Sequence, residues 1–203
     1  DGSNLYELPA EFDEVLLEYQ KQAVQIIARR IDTKGGALLG DVVGLGKTLT
    51  AVAIAAMLQS SDARYSTLVL CPPNLQKMWK EIMDDFKIHH TIVPYSKAKN
   101  LLPNLSRFEF VIADESHYLR NEKTEWYRAV KEYLQKNQSK VLLLSATPLN
   151  TIFKDVSNQL GLYVSDDDDM GFEPDAALEK SPGSFAGLSG KLRTFAAFRK
   201  SKE

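Results

Sequence analysis

Four short apolar runs, at residues 37–39, 67–71, 108–113 and 141–144, each end in a polar cluster, and longer stretches of helical spacing separate them. Apolar runs of strand length with no polar alternation suit strands buried on both faces. Strands alternating with helices in this way form a parallel sheet, because parallel neighbours need a crossover between them. The stretch 91–95 is a candidate for a further short strand. The expected fold is therefore α/β, a parallel sheet between two helix layers, with ligands gathered beyond the carboxyl ends of the strands. Every one of the polar clusters lies at such an end.

The intervening segments have their own signals. Leu16, Leu17, Ala23, Ile26, Ile27 and Ile31 fall at mixed spacings of three and four, which predicts an amphipathic helix stopped by Gly35 and Gly36. A second helix is predicted over 47–59. Pro72 and Pro73 stop the strand at 67–71, Asn74 is positioned to cap the next helix, and Leu75, Met78, Trp79, Ile82, Met83 and Phe86 keep the helical period. That Met and aromatic stripe reads most simply as core. A helix from Thr124 carries Trp126, Val130, Tyr133 and Leu134 on one face, and another is expected over 152–160. Residues 1–14 read as a lead-in, 15–165 as the main lobe, and 166–203 as an acidic loop and tail with a short basic helix near 191–200.

Composition narrows the functional classes. With 25 Lys and Arg against 27 Asp and Glu, the 203 residues carry a net charge of −2, so any polyanion site has to be local. One cysteine, Cys71, leaves no internal disulfide, and with three scattered histidines it makes no zinc-like cluster. The longest apolar run, 51–58, is too short to span a bilayer. The expectation is an intracellular protein with no membrane partner.

The cluster after the first run is Asp41-Val42-Val43-Gly44-Leu45-Gly46-Lys47-Thr48, followed by Leu49 and a long apolar helical stretch. A glycine turn from strand to helix points several backbone N–H groups at one spot, where the helix dipole adds roughly half a positive charge. An anion belongs there. Gly44 and Gly46 would admit a phosphate, Lys47 would reach the terminal phosphates, and Thr48 would complete a Mg²⁺ shell. Asp41 stands where the strict pattern has its first glycine. The nucleotide set is thus Val43, Gly44, Leu45, Gly46, Lys47, Thr48 and Leu49.

Hydrolysis of a nucleoside triphosphate needs a carboxylate on a strand next to the phosphate loop and a second group to orient water. Asp114 and Glu115 supply the pair, Asp114 for the metal and Glu115 for the water. An Asp-Glu pair after a strand is ordinarily a solvated loop or a helix start. Its place downstream of a phosphate loop is what raises it.

Asp114-Glu115-Ser116-His117 resembles the Asp-Glu-x-His box of superfamily 2 helicases and translocases, and Ser145-Ala146-Thr147-Pro148 resembles their third motif. The Swi/Snf-related branch usually reads Asp-Glu-x-Gly-Leu-Gly-Lys-Thr at the loop, with Glu where this chain has Val42. Leu17-Glu18-Tyr19-Gln20 is similar to the branch's adenine-reading segment, which gives Gln20 that role; by composition alone Gln20 reads as an exposed helix residue. Residues 68–73 with Leu75 and Trp79 resemble motif Ia, whose loop lines the DNA groove, and Pro73, Asn74, Gln76 and Lys77 would then make phosphate contacts. His117, Ser145 and Thr147 would couple nucleotide state to nucleic acid.

The resemblance covers about residues 16–160 and implies a RecA-like P-loop NTPase lobe that uses ATP and Mg²⁺ on DNA, with duplex the likelier track. In that family a second RecA-like lobe supplies arginine fingers from a Gly-Arg-containing motif, and this chain has no Gly-Arg pair. A lone first lobe is therefore expected to bind nucleotide and to turn it over weakly or not at all, the second lobe lying beyond Glu203. The span from Pro73 to Phe108 is short for the family, which leaves open a compact lobe or a missing loop. Also open are a strand-separating DNA or RNA helicase lobe and a nucleotide-binding scaffold without turnover. Location follows from the substrate: cytoplasmic or at the nucleoid, nuclear in a eukaryote.

Overall fold

A computed structural model describes residues 6–40, 46–145, 153–165, 167 and 168. The described strands are β1 (Gly36–Gly40), β2 (Thr67–Cys71), β3 (His90–Pro94), β4 (Phe110–Ala113) and β5 (Lys140–Ser145). They form one sheet in the order β1-β5-β4-β2-β3, with every neighbouring pair parallel. The helices are α1 (Glu18–Lys34), α2 (Lys47–Ser61), α3 (Gln76–Asp85), α4 (Tyr95–Leu101), α5 (Glu125–Asn137) and α6 (Phe153–Leu160).

Side chains of a strand alternate between the faces of its sheet, and here each face has its own core. Val69, Cys71, Phe110, Ile112, Leu142 and Leu144 meet α1, α2 and α3 on one face. Leu68, Leu70, Val111, Ala113, Val141 and Leu143 meet α4 and α5 on the other. Helix α2 is buried from Thr50 to Leu58 without a polar stripe, since α1 covers the side that the sheet does not. The three-layer sandwich follows directly.

Glycine is needed at two places, for conformation at one and for a close approach at the other. Gly35 closes α1 with φ 77°, its N–H donating to Ile31 O at 3.0 Å. A Cβ on Gly36 would lie 2.5 Å from Cγ of Tyr163, so the ring lies flat on the start of β1.

Several local expectations are corrected. The inner face of α1 is Gln20, Val24, Ala28 and Ile31, while Leu17 and Ile26 are exposed. Their hydrophobicity suggested the wrong stripe because the true one contains a glutamine and an alanine. Asn74 does not cap α3: it lies inside a 3-10 turn, Pro73–Leu75, and Leu75 precedes the helix with no side-chain cap. Pro73 favours that turn by fixing its own φ. The span 73–108 holds α3, β3 and α4, and α4 was not foreseen because seven residues give too few apolar repeats to show a period.

The chain divides after Tyr163. In the short second unit Ser165 N–H donates to Asp168 Oδ2 at 2.7 Å, and Asp168 N–H to Ser165 O at 3.0 Å. The rest of the predicted acidic loop and basic helix lies outside the described residues. Among the described residues no helix is long and apolar enough to cross a membrane.

Candidate nucleotide and nucleic-acid site

The strand ends converge as the sequence expects, with one change of order. β5 lies between β1 and β4, so the strand carrying Asp114 is second from the phosphate-loop strand and not next to it. The registers Leu39↔Leu144 and Ala113↔Leu143 set Asp114 level with Leu39 across the sheet. Strands are spaced by ~4.8 Å, which leaves about 10 Å between β1 and β4. The inserted strand ends in Ser145, paired with Gly40 and buried, so this third-motif residue reaches the same edge between the other two.

Residues 41–45, including Val43, Gly44 and Leu45, lie outside the described residues, as do 146–152 with Thr147. Gly46 is described at φ 80° and directly precedes α2. Helix α2 opens with Lys47, Thr48 and Leu49; its first turn has no acidic residue, and Thr50 N–H donates to Gly46 O at 2.9 Å. The first-turn amides and the dipole then favour an anion. A Cβ on Gly46 would meet Nε2 of Gln20 at 2.3 Å. Glycine is required there twice, for its conformation and for this contact.

Gln20 is buried and not the exposed residue that composition suggests. Its Oε1 accepts from Leu17 N–H at 2.8 Å, closing the start of α1, and its amide nitrogen faces Gly46. Gln20 therefore joins the start of α1 to the start of α2.

Asp114 is held on three sides. Its Oδ2 accepts from Trp79 Nε1 at 2.8 Å, its Oδ1 from Glu115 N–H at 2.9 Å, and its backbone oxygen from the Tyr95 hydroxyl at 2.8 Å. Trp79 and Tyr95 are buried. Sequence reasoning assigned Trp79 to core and missed its polar end; an indole N–H taken into a core needs an acceptor, which is the signal that was available. Complete burial, with the Asp114 charge adding to it, raises the Tyr95 hydroxyl well above its usual pKa. Burial likewise pushes the Cys71 thiol up to about 12, with a smaller contribution from Asp114.

Glu115 stands in the left-handed region, φ 50° and ψ 50°, and starts a 3-10 turn, Ser116–Leu119. About a third exposed, its carboxylate Oε2 lies 3.1 Å from His117 Nδ1. That approach is off the line of a hydrogen bond, and the buried Nδ1 has no bonding partner among the described residues. The turn is anchored from α6: Ser116 Oγ donates to Gln159 Oε1 at 2.6 Å, and Asn158 Nδ2 to Arg120 O at 2.7 Å. Tyr118 stacks on Tyr95 at 5.3 Å and tilts against His117 at 4.9 Å.

At the far side of this edge, Pro73, Asn74 and Lys77 are exposed. Gln76 donates to Pro73 O at 2.9 Å, and Lys77 lies 3.7 Å from Glu81. Gln76 is thus turned to its own loop, and the charge of Lys77 is partly matched.

The SNF2-related domain family matches residues 19–95, and the DEAD/DEAH box helicase family matches residues 73–155. Relatives include Switch 2 of Arabidopsis thaliana, 26% identical, with 64% of this chain and 20% of the relative aligned. The uncharacterized ATP-dependent helicase YqhH of Bacillus subtilis is 28% identical over 72% of this chain and 29% of its own length. The SWI/SNF-related matrix-associated actin-dependent regulator of chromatin subfamily A-like protein 1 of Xenopus laevis is 30% identical over 66% of this chain and 15% of its own. The chain therefore spans less than a third of each of these relatives. Among solved structures, the Sulfolobus solfataricus SWI2/SNF2 ATPase core in complex with dsDNA shares the fold with a TM-score of 0.65 at 19% identity, over 90% of this chain and 38% of that one.

Proposed function

We propose a specific role for this chain within the family to which it belongs, the Swi/Snf-related branch of the superfamily 2 helicases and translocases: it is the ATP-binding motor lobe of a translocase that moves along duplex DNA. The observation that carries the reading is the meeting of three strand ends, β1 with its loop into α2, β5 with Ser145, and β4 with Asp114 and Glu115.

In this reading Gly46, Lys47, Thr48 and Leu49, with Val43, Gly44 and Leu45, hold the phosphates of ATP, and Gln20 meets the adenine beside Gly46. Thr48 and Asp114 would hold Mg²⁺, and the donor set fits, a hydroxyl and a carboxylate being hard oxygen ligands. The cation would neutralise charge building on the phosphates. Glu115 accepts hydrogen bonds from the attacking water and orients it, with His117 beside the carboxylate. Ser145 and Thr147 connect this edge to the nucleic-acid side, where Pro73, Asn74 and Lys77 face outward. A second lobe of the full-length protein supplies the arginine needed for rapid turnover. Duplex DNA as the track is supported by the DNA complex of the Sulfolobus relative. The protein then works wherever its DNA is, at the nucleoid or in the nucleus.

The test compares duplex-stimulated ATP hydrolysis with strand displacement in the full-length protein, with Lys47→Ala as a control that loses nucleotide binding. Hydrolysis stimulated by duplex without strand displacement is expected. Displacement of a paired strand would move the chain to the strand-separating helicases, and binding without stimulated turnover would make it a nucleotide-dependent scaffold.

A further inference from the structure

We propose that Trp79 is a positioning residue for Mg²⁺: through its indole N–H it orients the Asp114 carboxylate toward the cation. The inference rests on the assignment of the metal to Asp114 made above and adds a residue that none of the nucleotide motifs contains. Trp79 has no exposed surface, and its neighbours in the core, Cys71 and Met83 among them, are apolar or weakly polar. Its N–H bonds Asp114 Oδ2 at 2.8 Å. A buried N–H left unpaired costs about 1–3 kcal/mol, so this bond is strongly favoured wherever α3 is packed.

The bond acts on the carboxylate in two ways. With Glu115 N–H on Oδ1 at 2.9 Å, each oxygen accepts one hydrogen bond and the carboxylate plane is fixed. Each oxygen keeps a second lone pair for a further partner. The donor is also neutral. A Lys or Arg in this place would bind the carboxylate as an ion pair and compete with a cation for its charge, whereas an indole orients the group and leaves its charge in place. Groups that orient metal ligands in this way typically change metal affinity by about 10–100-fold when removed.

Trp79→Phe keeps an aromatic ring in the core and deletes the N–H. Binding of a fluorescent ADP to the 203-residue chain, titrated with and without Mg²⁺, separates the effects. The expected result is metal-free affinity within about twofold of the parent chain and a Mg²⁺ requirement raised by about tenfold or more. Asp114→Asn should remove the Mg²⁺ dependence, and adding Trp79→Phe to it should change nothing further. A Trp79→Phe chain with an unchanged Mg²⁺ requirement, or with metal-free and metal-bound affinity lowered equally, would overturn the proposal while leaving Asp114 in its role. A Mg²⁺ dependence that survives Asp114→Asn would overturn the metal assignment itself, and this inference with it. A second readout needs no folded variant of Trp79. In the parent chain, its indole ¹⁵N–¹H resonance, identified with Trp126→Phe, should shift when Mg²⁺ is added to the nucleotide-saturated protein, and a stationary resonance counts against the proposal.

Discussion

Asp114 and Glu115 are neighbours in sequence, yet the structure holds them in opposite ways. Asp114 ends a central strand, takes the ladder bond to Leu70 O at 2.8 Å, and is fixed by Trp79, Tyr95 and the Glu115 amide. Glu115 turns out of the sheet at φ 50°, a conformation that costs a non-glycine residue about 1–2 kcal/mol. Among the described residues its carboxylate has the His117 ring beside it, Nδ1 at 3.1 Å. The turn is anchored through Ser116 and Gln159, while the acid side chain is about a third exposed. The difference fits the division of labour proposed for the two: a metal ligand gains from a fixed position, and a group that orients water gains from a partly exposed carboxylate.

The most severe way to probe the contrast is Glu115→Gln, which keeps shape and removes charge. ATP turnover of the full-length protein should fall by about 10²–10⁴-fold with nucleotide affinity and thermal midpoint unchanged. A loss below tenfold in a single-turnover assay would take the water-orienting role away from Glu115. Next is Ser116→Ala, which leaves Gln159 Oε1 without its 2.6 Å donor. Denaturant unfolding should show a loss of about 1–3 kcal/mol, and pairing it with Gln159→Leu should recover part of that, since the apolar pair leaves no unpaired side-chain group at the contact although the bond from Gln159 to Asp155 O is lost. Full stability in the single variant would mean that the turn is held elsewhere.

Tyr95→Phe removes one of the four bonds on Asp114. A cost of about 1 kcal/mol is expected, with the Mg²⁺ requirement nearly unchanged, because this hydroxyl reaches the backbone and not the carboxylate. A large shift in Mg²⁺ requirement would erase the distinction drawn between Tyr95 and Trp79. The smallest effect concerns pH. The folded thiol of Cys71 is raised to about 12 from an ordinary 9.0, so folding favours its protonated form. That contribution is complete below about 9 and is lost as pH rises toward 12. Iodoacetamide labelling below pH 9 should therefore follow global opening, and Asp114→Asn should ease ionisation of the thiol.

Much of this architecture is legible in the sequence because burial on both faces leaves an unambiguous mark. The runs at 67–71 and 141–144 are strands to within a residue or so, and their polar ends mark the site. Where a surface is only half covered, the pattern misleads. Leu17 and Ile26 look like the inner stripe of α1 and are exposed, while Gln20 looks like a surface residue and is buried. Its burial depends on Gly46, far along the chain, and no local pattern contains that contact. Spatial order is equally hidden. Nothing in the spacing of the motifs says that β5, the last of the strands described, inserts between β1 and β4. The left-handed Glu115 and the polar errand of Trp79 likewise arise from tertiary packing.

That inserted strand has a consequence for how the protein is made. Among the described residues, β1 has β5 as its neighbour in the sheet, Gly36 pairing with Val141, while β2, β3 and β4 pair among themselves. A chain emerging from the ribosome can assemble β2, β3 and β4 with α3 and α4 early. The strand that leads to the nucleotide loop has to wait for residue 145 before its ladder can close, and pairing across so long a separation is intrinsically slow. Lys140, the first residue of that late strand, meets Asp32 on α1 and fastens the strand to that helix. β1 is thus among the last strands of this sheet to be secured, and nascent chains stopped short of β5 should emerge with a partial sheet.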